Sequence, residues 1–391
     1  MISVEEALAR VIDLATLLSP EIVNLAQAAG RVMCAPAVAQ RDQPPFPASA
    51  MDGYAVSGDA PIGARFTVIG EAAAGHAFEG AIASGQAVRI FTGAPVPEGA
   101  SRVVIQEDVL VDGPTITVRG IDSGTNIRPR GQDFLGGTTL SPRRLRPNDL
   151  ALLAAMNIAT VPVVRRPVVA IIATGDELVM PGENPRADQI IASNLFALKA
   201  LAEAEGAQVR LLPIARDTVA DLKTVLTLAL DADLIVTIGG ASVGDHDLVG
   251  RVADGMGLER TFYKIAMRPG KPLMAGRLRG VPLLGLPGNP VSSIVCGHLF
   301  MLPMLRAMLG MPAIGPQLRR AVLGADVVAN GPRTHYMRAR LAKTDGLPAI
   351  TPFERQDSAL LTILTEADAL LIRPMDDGPH LVGDVVEYLP L

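Results

Sequence analysis

Short β-branched runs alternate with amphipathic stretches through the middle of the chain. Residues 168–173 (VVAIIA), 209–214 and 233–238 are apolar and long enough for buried strands. Between them, 193–205 and 218–230 carry apolar residues at helical spacing. Gly206 closes the first of these helices and Asp217 is the candidate N-cap of the second. Strand–helix alternation of this kind predicts a doubly wound parallel sheet, hence an α/β fold. Loops that follow the strand carboxyl ends gather on one edge of such a sheet, and ligands bind there. The loops 174–178, 216–217 and 239–247 are therefore expected to be neighbours in space. The apolar stretch 291–309 contains His298, Pro303 and Arg306, which suits a core helix better than a membrane span. Pro290 falls in its first turn.

The flanks have a different texture. Ser3 and Glu6 read as a capping box before a helix over 7–18, and Pro20 and Glu21 predict a second helix to Ala29, closed by Gly30. Residues 38–47 are proline-rich and extended. Residues 49–56 read as a turn around Asp52 and Gly53, and short β runs follow at 66–70, 87–91, 103–106 and 115–118. A helix over 148–156 is expected to return to the first helices. Beyond Met311 and Pro312, β runs at 321–328, 336–341, 349–353, 369–373 and 385–389 predict a small barrel or sandwich. Four domains result. Residues 1–40 with 134–165 form an N-terminal helical domain, 41–133 a β-rich insert, 166–312 the α/β domain and 313–391 a C-terminal β-barrel.

Composition narrows the function classes. A chain of 391 residues exceeds one ordinary core, and 49% hydrophobic content is ample for several. Aromatics make up 3% with no Trp, which argues against stacking platforms for nucleic acid. A formal net charge of −5 provides no global field for nucleic acid or an anionic membrane, so an anionic ligand needs a local cluster. Cys34 and Cys296 have no metal-ligand spacing, and the acidic N-terminus has no basic n-region. Both observations lead to the expectation of a reduced, cytoplasmic protein.

The candidate chemistry lies on the predicted sheet edge. The stretch 235–247 (IVTIGGASVGDHD) leaves its strand at Gly239 and Gly240, passes Ser242 and Gly244, and meets Asp245 and Asp247 before a helix-like segment. Paired glycines let backbone N–H groups approach a ligand, and a helix N-terminus favours an anion. A plain strand-to-helix turn with Asp245 as N-cap explains the loop alone equally well. Five acids, Asp176, Glu177, Asp217, Asp245 and Asp247, share the edge, however. Carboxylates beside an anion site point to a bridging magnesium, which keeps its waters and takes one or two protein carboxylates. A basic complement lies at 264–272 (KIAMRPGKP). Only five of the 35 Lys+Arg residues are lysine, and two of those, Lys264 and Lys271, fall here. Compact point charges suit a tetrahedral oxyanion. Tyr336, Arg338 and Arg340 share one face of a strand, and Ser358 is placed to start a short helix. No nucleophilic triad, zinc spacing or P-loop occurs.

Six ordered stretches resemble the MoeA/gephyrin family of molybdopterin molybdenumtransferases. They are PFPASAMDGYAV (45–56), FTGAPVP (91–97), ATGDEL (173–178), GGASVGDHD (239–247), AMRPGKP (266–272) and GLPGNPVSS (285–293). The resemblance implies a cytoplasmic homodimer of elongated four-domain subunits. The α/β domain would hold the pterin and the partner's β-rich module would close the cleft. The implied substrates are adenylylated molybdopterin and molybdate, with Mg2+. The phosphoanhydride is cleaved, AMP leaves, and the dithiolene takes up molybdenum. By matching position, Glu177, Asp217 and Asp247 resemble the acids of the metal and nucleotide site, with Lys264 among the catalytic residues. Gly239, Gly240, Ser242, Gly244, Arg268, Lys271, Pro272, Arg338 and Ser358 resemble substrate contacts. Asp52, Thr92 and Asp133 resemble residues supplied from the insert or its edge. The family commonly has Lys at the position of Arg268, and a glycine-containing turn where Gln356 and Asp357 precede Ser358. A handover with the molybdopterin adenylyltransferase and with molybdoenzyme chaperones fits this reading. Two other functions stay open at this point: the adenylyltransferase itself, and a molybdopterin-binding carrier or scaffold without turnover.

Overall fold

The computed structural model describes residues 1–240, 248–311 and 314–391. The chain forms two compact units, Ile22–Val163 and Met1–Glu21 with Val164–Leu391. In the first unit, Ala28, Met33, Leu145, Leu153, Met156 and Val161 share a small core around the helix Pro147–Ala155. The expected helix over 20–29 is not formed. Pro20–Asn24 is a strand and Leu25–Gln27 a single 3₁₀ turn, with Leu25 N–H donating to Ala159 O at 2.9 Å. A long-range partner for the backbone overrode the local helix-start signal of Pro-Glu.

The rest of this unit is a six-stranded mixed sheet. Its order is Arg102–Ile105, Gly53–Val56, Gln86–Ile90, Arg65–Ala72, Thr115–Val118 and Val109–Asp112. The turn expected around Asp52 and Gly53 is instead the lead-in to a strand paired on both sides. Alternate residues serve opposite faces: Tyr54 and Val56 pack in one apolar cluster and Ala55 in another. A Cβ on Gly53 would lie 2.0 Å from Val104 O, so only glycine admits that close pairing.

The second unit contains the α/β sheet. Gln208–Leu211, Val168–Ala173, Leu234–Ile238 and Val281–Leu286 lie parallel in that order, and Pro272–Leu278 and Leu258–Lys264 extend the sheet antiparallel. Leu222, Val225, Leu226, Val249 and Val252 of the helices Val219–Leu228 and Leu248–Gly255 cover Ala170, Ile172 and Ile235. Asn194–Ala204 packs beside Val168–Ala173 and against Pro290–Cys296. The helix Pro290–Cys296 continues through a π segment, Gly297–Met301, into Leu302–Met308, where Leu302 N–H reaches Gly297 O. Pro303 has no N–H to give the ladder, and a π segment is a common way to absorb that loss. The whole run Pro290–Met308 is apolar enough to span a bilayer, but 78% of its most apolar window is buried in the protein core.

The N-terminal helix Val4–Leu14, with Ser3 Oγ accepting from Glu6 N–H, belongs to this same unit. Arg10 Nη1 donates to Thr261 O and Leu18 N–H to Met308 O. The C-terminal strands Thr334–Ala342, Ala349–Pro352, Arg319–Leu323, Val385–Pro390 and Ala369–Arg373 close into a five-stranded barrel over Ala321, Leu323, Ala339, Ile350 and Leu371. The short strand Met267–Arg268 pairs parallel to Thr334 and His335, which brings Arg268 to the barrel rim.

Candidate functional site

Ala173 pairs with Ile238, and Ile238 with Leu286, so their following loops leave from one edge. Backbone bonds knit those loops together: Thr174 N–H to Ile238 O (3.0 Å), Gly175 N–H to Ala215 O (3.1 Å) and Gly239 N–H to Leu286 O (3.0 Å). Gly239 and Gly240 take φ of +88° and +65°, where side chains are strained. Arg216 straps two loops together, its Nη1 donating to Asp176 O (3.0 Å) and Leu178 O (3.3 Å). Asp217 N–H adds a bond to Asp176 Oδ1 at 3.2 Å. The expected cap is displaced by one residue: Thr218 Oγ1, not Asp217, accepts from Asp221 N–H. Asp217 is thereby released from a capping role.

The result is a cavity of about 470 Å³ lined by Glu177, Asp217, Gly239, Gly240 and Pro272, with Ile190 and Ile191 as an apolar wall. Neither acid forms an ion pair among the described residues. Two carboxylates without an ion-pair partner in this cleft fit the donor type of magnesium, which needs few protein ligands. Among the described residues no group of three His, Cys, Asp or Glu side chains is arranged to hold a metal ion. Ser242, Gly244, Asp245 and Asp247 lie outside the described residues.

A second cavity of about 310 Å³ is lined by Arg268, Lys271, Arg333, Ser292 and Ser358, and it shares Pro272 and Asn289 with the first. Asn289 Nδ2 donates to Ser358 Oγ at 3.0 Å, and Val291 N–H donates to Ser358 O at 3.1 Å. Ser358 does not open a helix. The helix there is Leu361–Thr365, and Asp357 Oδ1 accepts from Ala359 N–H in the preceding turn. Arg268, Lys271 and Arg333 make no ion pair among the described residues. They face an acid only in Asp357, so the cavity carries net positive charge. His335, buried beside Arg268, stays neutral: burial first, then the guanidinium groups of Arg268, Arg338, Arg333 and Arg373, lowers its pKa to about 4.

Arg338 and Lys264 line neither cavity. Arg338 is 1% exposed, and its Nε and Nη2 donate to Gln356 Oε1 while Nη1 donates to Asp357 O. Tyr336, Arg338 and Arg340 do share a strand face, but it passes from buried to exposed, and Arg340 pairs with Glu366 at the surface. Lys264 is half-buried with Nζ 5.5 Å from the Tyr263 ring.

Asp52, Thr92 and Asp133 belong to the other unit. Thr92 N–H and Oγ1 both donate to Asp52 Oδ1 at 2.8 Å, and with the backbone bond foremost these hold the carboxyl below its usual range. Asp133 lines a separate cavity of about 630 Å³ with Gly93, Arg128 and Gln132. Sequence reasoning missed Arg216, Asn289, Ser292, Arg333 and Gln356. Asn289 and Ser292 lay inside a stretch already singled out, Arg216 in a loop placed on the edge and Gln356 in a noted departure from the family turn, but none was given a role; nothing local marked Arg333.

Comparison with known proteins gives a consistent picture along the chain. The MoeA N-terminal region (domain I and II) matches residues 2–157, a probable molybdopterin binding domain matches 170–307, and the MoeA C-terminal region (domain IV) matches 320–391. Molybdopterin molybdenumtransferase 2 of Mycobacterium tuberculosis is 36% identical over 392 residues, covering 96% of both chains. The molybdopterin molybdenumtransferase of a Nostoc species is 33% identical over 375 residues, covering 91% of this chain and 85% of that one. The crystal structure of a molybdopterin biosynthesis MoeA protein from Pyrococcus horikoshii superposes with a TM-score of 0.83 at 29% identity. It covers 100% of this chain and 99% of that one.

Proposed function

Since the chain belongs to the MoeA family of molybdopterin molybdenumtransferases, we propose that its two joined cavities hold the two substrates of that transfer. The chain is an enzyme of molybdenum cofactor biosynthesis that handles molybdopterin and molybdate. The adenylyltransferase alternative falls away, because the match extends through the N- and C-terminal regions of full-length transferases.

One observation carries the finer reading: an acid-lined cavity and a cation-lined cavity share a wall at Pro272 and Asn289. In the acid-lined cavity, Glu177 and Asp217, with Asp247 as the expected third donor, would hold Mg2+ against the adenylate. When bound, the ion supplies charge stabilisation to the phosphoanhydride and its leaving AMP. Arg216 keeps the two acid-bearing loops at one spacing, and the glycines leave room for backbone N–H groups to meet phosphate oxygens. In the cation-lined cavity, Arg268 and Lys271 concentrate molybdate, and Ser358, oriented by Asn289, offers a hydroxyl to one of its oxygens. Molybdate is thus held beside the dithiolene while water displaces AMP from the anhydride phosphorus. Lys264, Ser242 and Gly244 remain candidates through family position alone. Asp52, Thr92 and Asp133 would come from the partner of a cytoplasmic homodimer, within a four-domain subunit as outlined from the sequence.

AMP release from adenylylated molybdopterin on addition of molybdate tests this reading. Asp217→Asn should lower that release by a hundredfold or more, roughly the effect of losing one preorganised charge group. Lys271→Ala should raise the molybdate requirement far more than it weakens pterin binding. An Asp217→Asn protein that releases AMP normally sinks the assignment of that acid, whereas a parent protein that releases no AMP would favour a carrier without turnover.

A further inference from the structure

We infer that Arg89 is a positioning residue for the insert's share of the reaction, holding the backbone around Asp52 and so aiming the Asp52–Thr92 pair. The inference rests on the reading that this pair serves the transfer. Asp52 is anchored through one oxygen only. Thr92 N–H and Oγ1 both donate to Asp52 Oδ1 at 2.8 Å, whereas Oδ2 has no hydrogen-bond partner among the described residues. A carboxylate with one oxygen occupied by orientation and the other open is an acceptor set in advance. Its aim depends on how rigidly residues 52 and 92 are held.

Arg89 supplies that rigidity from a half-buried place on the strand Gln86–Ile90, directly opposite Tyr54 of the strand that Asp52 leads into. Its guanidinium lies 4.9 Å from the centroid of the Tyr54 ring and 4.8 Å from that of Phe91, the residue before Thr92. Contact with ring faces leaves the N–H groups free for hydrogen bonds. Nη1 donates to Gly53 O at 3.1 Å and Nη2 to Gln106 Oε1 at 2.7 Å. Gln106 in turn donates its backbone N–H to Asp52 O at 3.0 Å. One planar cation thus ties the residue after Asp52, the residue that holds Asp52 O, and the ring beside Thr92. Arg89 forms no ion pair among the described residues, so its charge also acts on Asp52. The Thr92 backbone bond first, then its hydroxyl, lowers the pKa of the Asp52 carboxyl; desolvation opposes them and the Arg89 charge reinforces them. Lysine would keep that charge, but a compact ammonium does not reproduce a planar fork that contacts two rings and reaches both oxygens.

A double-mutant cycle on the full chain, read by AMP release from adenylylated molybdopterin with molybdate and paired with thermal unfolding, tests the assignment. Asp52→Asn alone should lower kcat/KM. Arg89→Met keeps the bulk and loses charge and fork. It should lower kcat by about ten- to a hundredfold with KM little changed, the range for a small misplacement of a group that meets the substrate. In the Asp52→Asn background the same change should cost less than about twofold more, because its effect runs through Asp52. Arg89→Lys should keep the unfolding midpoint near the parent's and yet recover only part of the rate. Independent, fully multiplied losses in the double variant overturn the inference. So does an Arg89→Met or Arg89→Lys protein that turns over at the parental rate while Asp52→Asn is impaired. If Arg89→Met does not fold, Arg89→Lys takes its place in the cycle and the same criterion decides. An Asp52→Asn protein of parental rate means that the reading of the pair is what fails, and the role of Arg89 falls with it.

Discussion

Replacing Gln356 by Leu should destabilise the C-terminal barrel more than any other substitution in the lining of the cation-lined cavity. The carboxamide accepts from Arg338 N–H, Nε and Nη2, and donates to Arg338 O (3.0 Å) and Phe353 O (2.7 Å). Leu removes all five bonds and keeps the volume. Arg338, 1% exposed, would then retain only the 2.7 Å bond to Asp357 O for its guanidinium. Two lost bonds to a charged donor are worth about 1.5–3 kcal/mol each, and three neutral ones about 0.5–1.5 kcal/mol each. Gln356 is only half-buried, so water can replace part of the set. A net loss of about 3–5 kcal/mol follows, the range seen when one member of a buried charge network is deleted. Gln356→Glu keeps the acceptor and adds an ion pair but loses both donated bonds, so a milder loss is expected. Far-UV circular dichroism across a urea series, with the barrel transition fitted separately, measures both variants. A Leu variant within about 1 kcal/mol of the parent would show that water satisfies Arg338, and the structural role argued for it would be refuted.

Gly240→Ala should cost about 1–3 kcal/mol and weaken pterin binding, because φ is +65° and the new Cβ would lie 2.1 Å from Val249 Cγ2. An alanine variant of parental stability and affinity contradicts the close-approach argument for that loop. His335 and His298 both have folded pKa values lowered to about 4, by burial first, then by Arg268 and its neighbours at His335 and by Arg306 at His298. In the unfolded chain both titrate near 6.5, so between pH 6.5 and 4 the unfolded state binds more protons. Stability is therefore highest above about pH 6.5 and falls as pH drops toward 4. His335→Gln should flatten that fall in pH-dependent unfolding, and an unchanged slope would show that His335 does not contribute.

The α/β sheet was readable because its signals are local and redundant. The run 168–173 is apolar on both faces, as a parallel strand covered by helices must be, and the helix after it closes at Gly206. The edge where Glu177 and Asp217 meet followed from topology alone, since strand register places those loops together whatever their sequence separation. The errors came where a distant partner decided the outcome. Pro20 and Glu21 look like a helix start, but the backbone there runs as a strand into a 3₁₀ turn bonded to Ala159. Gly53 looks like a turn glycine, yet its missing Cβ serves a central strand. Asp217 looks like a cap, but a threonine one position later took the role and left the carboxylate facing the cavity.

The arginines mark the limit of what motif position can assign. Arg333 stands just before the strand Thr334–Ala342 and Arg338 within it, with the same charge, and no periodicity separates a cavity-lining guanidinium from a structural one. What separates them is the count of donors already satisfied. Burying a guanidinium without partners is costly, so a buried arginine must draw carbonyl and carboxamide oxygens around itself. Those oxygens come from residues 356 and 357, nearly twenty positions away. Gln356 and Asp357 therefore take on a specific meaning: they form a receptor for Arg338. A chain with a tighter, glycine-containing turn there would leave the equivalent guanidinium freer to face the cavity. The two arrangements should be interchangeable only as a set. Gln356→Gly alone should destabilise this chain through Arg338, and it should do so whether or not molybdate is present.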